Sequence, residues 1–197
     1  MLTSKIKSYY EIHNCDRITQ GDILRDIIIV IIDNDEKIKG LEYQYGIVLS
    51  QDCDLEQGSK IDKAEFDDKE SVTRFNQFLP SILFAPAFPA ELLRSGKHLV
   101  GLYQIEAMKF SSQQWKSIIN NNNQRYHFLP SDPDKQVPEL VIDFKSYYTI
   151  PFKKISDTRK KHYLATVNEV FRENLSHRFA HYLSRIGLPD LQCNTVT

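Results

Sequence analysis

The tripeptide Asp52-Cys53-Asp54 places a thiol between two carboxylates, the residue types in this chain best suited to chemistry. It follows directly on an apolar run, residues 46–49, that has the pattern of a buried strand. Polar chemistry is often placed where such a strand ends, because the strand fixes the backbone while its end meets water. If the extended chain continues, Asp52 and Asp54 share one face roughly 6–7 Å apart and could share a divalent ion such as magnesium. We therefore predict a site at residues 52–54, on the rim of a closed sheet.

Two other interpretations of the same tripeptide stand beside this one. Cys53 could be a nucleophile, although the flanking carboxylates disfavour its thiolate form, so a histidine from elsewhere would have to activate it. His127 is the histidine that we assign to this role, because both residues are expected on strands of the sheet. The structural interpretation makes Cys53 a small buried hydrophobic residue and the two aspartates caps of a turn or of the next segment.

Three arginines are candidates for binding nucleic acid or an acidic partner. Arg125 begins the run Arg125-Tyr126-His127-Phe128, and alternating cations and aromatic rings are typical of strands that stack single-stranded bases. Arg178 and Arg185 lie two turns apart on a predicted C-terminal helix and would form one stripe for phosphate or an acidic protein. The plain alternatives are burial of the two aromatic rings and compensation of the helix dipole by the arginines.

Composition narrows the class of protein. The chain has 197 residues, three scattered cysteines and a net charge of −1, which argue for a reduced, cytoplasmic protein that is not globally basic. The longest apolar run, residues 27–32, has six residues, far fewer than the roughly 20 that cross a bilayer, so no membrane is expected. Phosphate-binding, dinucleotide-binding and zinc-finger motifs are absent, so we predict no cofactor, a divalent metal at residues 52–54 being the one alternative.

The hydrophobic pattern predicts the elements that must position these residues. Residues 23–32 and 41–49 are expected to form an antiparallel hairpin, and the β-branched run 27–32 to be buried on both faces. Further strands are predicted at 79–87, 99–108, 125–129, 139–144, 147–152 and 163–167, and helical spacing predicts a helix over residues 168–187. The prediction is one α+β, mainly β domain. It is a small antiparallel SH3-like barrel (core 19–167) with helical insertions at 60–78 and 88–123 and a C-terminal helix.

This layout resembles the PemK/MazF-like toxins. The matching motifs are Gly21-Asp22-Ile23, Gly46-Ile47-Val48-Leu49-Ser50, the strand at residues 82–86 and the late strand within residues 140–150. The resemblance implies a Src-homology-3-like barrel with a C-terminal helix, working in a toxin–antitoxin or phage-defence system.

The resemblance ends where the family's ribonuclease chemistry lies. Tyr43-Gln44-Tyr45-Gly46 lacks the arginine expected before the second long strand, and Ala85-Pro86-Ala87-Phe88 lacks the expected hydroxyl residue. A neutral amide cannot replace a guanidinium that stabilises a transferring phosphoryl group. We therefore expect a protein that binds a partner protein, RNA or DNA without that activity, as a monomer or a homo-oligomer. The alternatives are a nuclease or hydrolase that uses Asp52-Cys53-Asp54, and an accessory subunit of a larger ATPase or nuclease.

Overall fold

A computed structural model of the protein describes residues 8–14, 16–32, 35–62 and 77–185. Its strands form one antiparallel sheet that curls into a half-barrel, in the order β1-β8-β2-β3-β4-β6-β5 with β7 also beside β4. The strands are β1 (Tyr10–Glu11), β2 (Asp22–Ile32), β3 (Ile38–Val48), β4 (Ser81–Pro89), β5 (Tyr126–Leu129), β6 (Leu140–Asp143), β7 (Tyr148–Pro151) and β8 (Tyr163–Val167). The helices are α1 (Asp52–Asp62), α2 (Ala90–Arg94), α3 (Val100–Tyr103), α4 (Ser112–Ile119), α5 (Phe152–His162) and α6 (Glu169–Leu183).

The architecture agrees with the α+β, antiparallel part of the prediction. The mainly β part is not confirmed, because the helices hold about as many residues as the strands. The predicted C-terminal helix is present as α6, and the predicted insertion at 88–123 contains α2, α3 and α4. The strand predicted at 99–108 is wrong, because helix α3 occupies Val100–Tyr103 and the following residues are not in a strand. Most of the other predicted insertion, residues 63–76, lies outside the described residues. In the described part of the chain, no helix has both the length and the apolar character to cross a membrane.

The predicted hairpin is confirmed, but its burial differs from the prediction. β2 pairs with β3 from Ile23 opposite Ile47 to Ile32 opposite Ile38. The prediction that residues 27–32 are buried on both faces is wrong, since every second side chain is exposed. Asp26 adopts a left-handed conformation (φ 53°), after which the alternation of side chains shifts by one residue. Leu24, Ile27 and Ile29 therefore all enter the same core cluster, and the residues between them face solvent.

Strand β4 changes its partner halfway along its length. It pairs with β3 only where Phe84–Pro86 meet Gly46–Val48, and with β6 from Ala87 to Pro89. Gly46 permits the close approach of the first pair, because a Cβ atom there would lie 2.1 Å from Cζ of Phe84. Beyond this point β3 and β4 diverge and leave a cleft between them.

Helix α6 covers one face of the sheet. Leu175 and Phe179 are buried against Phe144, and the rings of Phe144 and Phe179 lie 5.4 Å apart. On the other face, Phe152 and Ile155 of α5 pack into the cluster that contains Phe84. The central part of the curled sheet thus lies between two hydrophobic clusters, whereas the outer part of the β2–β3 hairpin buries only one face.

Candidate functional site

The tripeptide Asp52-Cys53-Asp54 is the first turn of helix α1, not the end of a strand. Strand β3 ends at Val48, so the alternating geometry predicted for two metal-binding carboxylates is wrong. Acidic side chains in a first turn are stabilised by the positive end of the helix dipole. This position agrees with the capping role that the structural interpretation gave to the aspartates.

Asp52 is held by a neighbouring arginine. Its Oδ1 and Oδ2 atoms each accept a hydrogen bond from Arg17 at 3.0 Å, and Oδ1 also accepts one from the amide of Gln20. Burial alone would raise the pKa of the Asp52 carboxyl, but these hydrogen bonds outweigh it and hold that pKa below its usual value. The pair ties the segment before β2 to the start of α1.

The structure does not bring Cys53 and His127 together. Cys53 is exposed, which contradicts the expectation of a buried thiol, and its Sγ lies 3.7 Å from side-chain oxygens of Gln51 and Asp54. His127 is buried in β5, where Arg178 donates from Nε to its Nδ1 at 3.1 Å. The imidazole proton therefore lies on Nε2, which faces the hydroxyl of Tyr9 at 3.4 Å.

The environment of His127 keeps its ring neutral. Burial, with a smaller contribution from the positive charge of Arg178, lowers the pKa of His127 to about 3. With Nδ1 already accepting from Arg178, the ring has no free basic nitrogen for a thiol. The geometry therefore gives His127 a structural role between β5 and α6.

Two of the three candidate arginines are engaged within the protein. Arg125 forms a two-point ion pair with Asp143, at 2.8 and 2.6 Å. Arg178 donates to the backbone carbonyls of Asn121, Asn123 and Tyr126, which fixes the segment before β5 against α6. Arg185 is exposed, and its guanidinium lies 4.2 Å from the ring centroid of Tyr182. The stripe expected from Arg178 and Arg185 is thus reduced to Arg185, because Arg178 points to the backbone.

A buried charged network at the start of β2 was missed by sequence reasoning. Asp22 is fully buried and accepts hydrogen bonds from Thr19, Thr166 and Arg159 at 2.6, 2.6 and 2.7 Å, with His13 at 3.1 Å. Burial raises the pKa of Asp22, but the hydrogen bonds and the charge of Arg159 together hold it below its usual value. The sequence shows an aspartate, Asp22, at the start of a predicted apolar strand, which hints at a buried carboxylate. Its partners Arg159 and Thr166 are too distant in the sequence to be predicted.

A polar cleft of about 480 Å³ lies where α1 begins beside α6. It is lined by Gln20, Gln51, Asp52, Glu169, Arg172, Glu173, Ser176 and His177. Three carboxylates and one arginine line it, and Arg172 also donates to the carbonyl of Gln20 at 3.2 Å. Among residues 8–14, 16–32, 35–62 and 77–185, no group of three His, Cys, Asp or Glu side chains is arranged to hold a metal ion.

A second cleft, of about 460 Å³, lies between the diverging strands and is called the β3–β4 cleft below. Its lining is Lys39, Gly40, Leu41, Glu42, Tyr43, Gln44, Ala87, Phe88, Pro89, Leu92, Lys97, His98, Gly101 and Leu102. Six consecutive residues of β3, 39–44, line the cleft. One face of a strand presents only every second residue, so the cleft must border the edge of β3. β2 pairs with the other edge of β3, and no described strand pairs with the edge that faces the cleft along residues 39–44.

His98 is the least satisfied polar side chain in this cleft. It is 6% exposed, and its Nδ1 is buried without a hydrogen-bond partner. Its ring meets that of Phe88 edge-on at 4.9 Å, and burial lowers the pKa of His98, so the ring is neutral. Buried polar atoms in native proteins nearly always have a partner. Sequence reasoning passed over this lone histidine, which no motif marks.

Tyr43, by contrast, enters the cleft with its hydroxyl satisfied. That hydroxyl lies 2.6 Å from the hydroxyl of Tyr148, which in turn lies 2.7 Å from that of Tyr103. Burial, followed by these hydrogen bonds, raises the pKa of Tyr43 above its usual value. The three phenols link β3, β7 and α3 and hold one wall of the cleft in place.

No protein-family model and no curated protein matches this chain.

Proposed function

We propose that the protein is a binding protein without a catalytic role, and that its β3–β4 cleft holds an extended segment of a partner protein. The observation that carries this proposal is the unpaired edge of β3 facing that cleft along residues 39–44. An unpaired edge presents a row of amide and carbonyl groups, and an extended peptide satisfies them by adding one more strand.

The walls of the cleft indicate the chemistry of the bound segment. Phe88, Leu92 and Leu102 offer apolar surface, which suits an apolar side chain at every second position of the peptide. Lys39 and Lys97 lie at the cleft with one acidic residue, Glu42, so a net positive charge favours an acidic side chain on the partner.

His98 supports a ligand in this position. A neutral imidazole with an unpartnered Nδ1 can accept a hydrogen bond from a peptide, or donate one in its other tautomer. An amide or hydroxyl of the bound segment would satisfy it, after a small adjustment of the ring. Its unmet hydrogen bond thus adds an observation independent of the strand edge.

The rival enzyme hypothesis has less support. It relies on Asp52, Cys53 and His127, but Asp52 is paired with Arg17 and His127 is buried, neutral and bonded to Arg178. The proposal keeps the expectation drawn from the PemK/MazF resemblance, a partner-binding protein of a toxin–antitoxin or phage-defence system that lacks the ribonuclease residues.

The test uses random ten-residue peptides displayed on phage and selected on the purified full-length protein. Affinities of the selected peptides are then measured by fluorescence anisotropy with wild type and with Gly101→Phe. Gly101 lines the cleft, and a Cβ atom there would meet no other atom within 4 Å, so the backbone has room for a side chain intended to obstruct the cleft. Gln113→Phe, on the exposed surface of α4, is the matched control.

We expect Gly101→Phe to weaken binding at least tenfold and Gln113→Phe to leave it unchanged. Bound peptide should also slow hydrogen exchange of amides within residues 39–44. Peptides that bind Gly101→Phe as tightly as wild type, or a selection that yields no binder, would show that the proposal is wrong.

A further inference from the structure

The outward face of the β2–β3 hairpin carries a continuous strip of β-branched side chains. Ile28, Val30 and Ile32 of β2 and Ile38 of β3 are 56%, 65%, 72% and 80% exposed, and we call these four residues the apolar strip. In the register of the hairpin, Val30 lies opposite Gly40 and Ile32 opposite Ile38, so the four side chains adjoin one another. Single exposed hydrophobic residues are ordinary, whereas a contiguous group marks a surface that another molecule covers.

The protein cannot bury this strip by itself within the described fold. The opposite face of the hairpin is committed to the core through Ile27, Ile29 and Leu41, all of them buried. β8 pairs with β2 only from Asp22 to Leu24, so the outer part of the hairpin has no further strand beside it in the described part of the chain. The strip is therefore open to a partner across its whole length.

We propose that the apolar strip is the interface with a second copy of this chain, the two hairpins stacking face to face about a two-fold axis. Such an interface must be complementary to itself, because the same patch lies on both sides. Val30 projects from one strand, and Gly40 leaves a notch directly opposite it on the other. A Cβ atom at Gly40 would already be at van der Waals distance from Ile28, so the notch is bounded by the strip itself. Val30 of the second copy fits that notch.

Charge also favours a second copy over a membrane or a nucleic acid. The four side chains of the strip are uncharged, and the nearest charge on this face is the exposed Glu42 opposite Ile28, which stacking centred on Val30 and Ile38 leaves in water. At this end of the hairpin Asp35 and Glu36 are balanced by Lys37 and Lys39, so no excess of positive charge is present to attract phosphate groups. Uncharged, β-branched surface is what packs between two sheets.

The size of the strip sets the expected strength. Standard interfaces involve about 20–30 residues a side, so a strip of four side chains predicts a weak dimer, with a dissociation constant on the order of 10–100 μM. Such a dimer would be invisible in dilute solution and populated at high local concentration. This interface uses the outer face of β3, whereas the proposed peptide site uses its edge, and Gly40 contributes to both.

Sedimentation equilibrium of the full-length protein between about 1 and 300 μM tests the proposal. We expect the average mass to rise from 23.0 kDa towards twice that value in wild type. Val30→Lys should remain monomeric, since it places a charge in the interface yet is tolerated at an exposed position. Gly40→Leu should weaken association as well, because it fills the notch without adding charge. Val170→Lys, equally exposed on α6, should dimerise like wild type.

Circular dichroism of each variant confirms that it is folded before its mass is interpreted. A wild-type protein that stays monomeric at 300 μM would overturn the proposal, as would a Val30→Lys variant that associates like wild type. Monomeric protein that binds phosphatidylcholine vesicles through Val30 would assign the strip to lipid and would overturn it too.

Discussion

Replacing Asp22 by asparagine should destabilise the protein by about 3–5 kcal/mol. Asp22 is fully buried and is the acceptor for two hydroxyls and for the guanidinium of Arg159, itself buried. Asparagine keeps the shape but replaces one acceptor oxygen with an amino group, which faces these donors and leaves the cation unpaired. Breaking a buried ion pair from one side costs about this much, because the remaining charge has no compensation.

The pH dependence of this effect follows from the lowered pKa of Asp22. In the unfolded chain an aspartate titrates near 3.9, and in the folded protein the pKa of Asp22 lies below its usual value. The carboxylate therefore contributes its full stability above about pH 5 and loses it as the pH falls through the folded-state pKa. The difference between wild type and Asp22→Asn should therefore shrink as the pH falls below about 4.

Urea unfolding, followed by the fluorescence of the single tryptophan and by circular dichroism, measures this difference. With a slope of about 2 kcal/mol per molar urea, the midpoint should fall by roughly 1.5–2.5 M. Asp54→Asn, an exposed aspartate in the first turn of α1, is the control and should cost less than about 1 kcal/mol. Adding Arg159→Met to Asp22→Asn should recover part of the loss, because it removes the unpaired charge. Equal midpoints for Asp22→Asn and Asp54→Asn would refute this reasoning.

Three further predictions concern single residues. The ring of His127 should stay neutral in NMR spectra down to about pH 4. Because the unfolded histidine binds a proton near pH 6.5, stability should fall as the pH is lowered from about 6.5 towards 3, a dependence that His127→Gln should reduce. Arg178→Lys should speed amide exchange over residues 121–126, since a lysine cannot reach three carbonyls at once; unchanged protection would contradict the role of Arg178. Cys53→Ser should remove one thiol that reacts rapidly in the native protein while shifting the melting temperature by no more than about 2 °C, and an unchanged count of reactive thiols would show that Cys53 is not accessible.

The parts of the fold that could be predicted are those with strong local periodicity. The alternation of apolar and polar residues after the polar connector 33–40 predicted the β2–β3 hairpin. The spacing of Phe171, Leu175 and Phe179 predicted α6. Each of these elements buries one regular face, so its hydrophobic pattern can be recognised without knowing which distant residues pack against it. The antiparallel α+β class followed from these elements, whereas the SH3-like barrel and the family stay predictions.

The errors came from information that is not local. The start of α1 was interpreted as the end of a strand. Two aspartates two positions apart, such as Asp52 and Asp54, are however typical of a first helical turn. Two-sided burial of residues 27–32 was expected from composition, but it requires a packed layer on each face of the sheet, and only the face with Ile27 and Ile29 meets the core. Asp22 contacts Arg159 and His127 contacts Tyr9, and the residues of each pair are more than 100 positions apart in the sequence. A single sequence does not reveal such pairs. The β3–β4 cleft exists only because β4 changes partner, which no residue pattern indicates.

The pairing of β8 with both β1 and β2 has a consequence for synthesis on the ribosome. The first strands of the sheet cannot acquire this neighbour until residues 163–167 have left the exit tunnel, so most of the polypeptide must emerge before the sheet is complete. During that interval the isoleucine-rich hairpin is a nascent segment with high β-propensity and no charge over six residues, the kind of sequence that aggregates. We expect chaperones that hold newly made chains to engage it, and the yield of native protein to depend on the rate of translation.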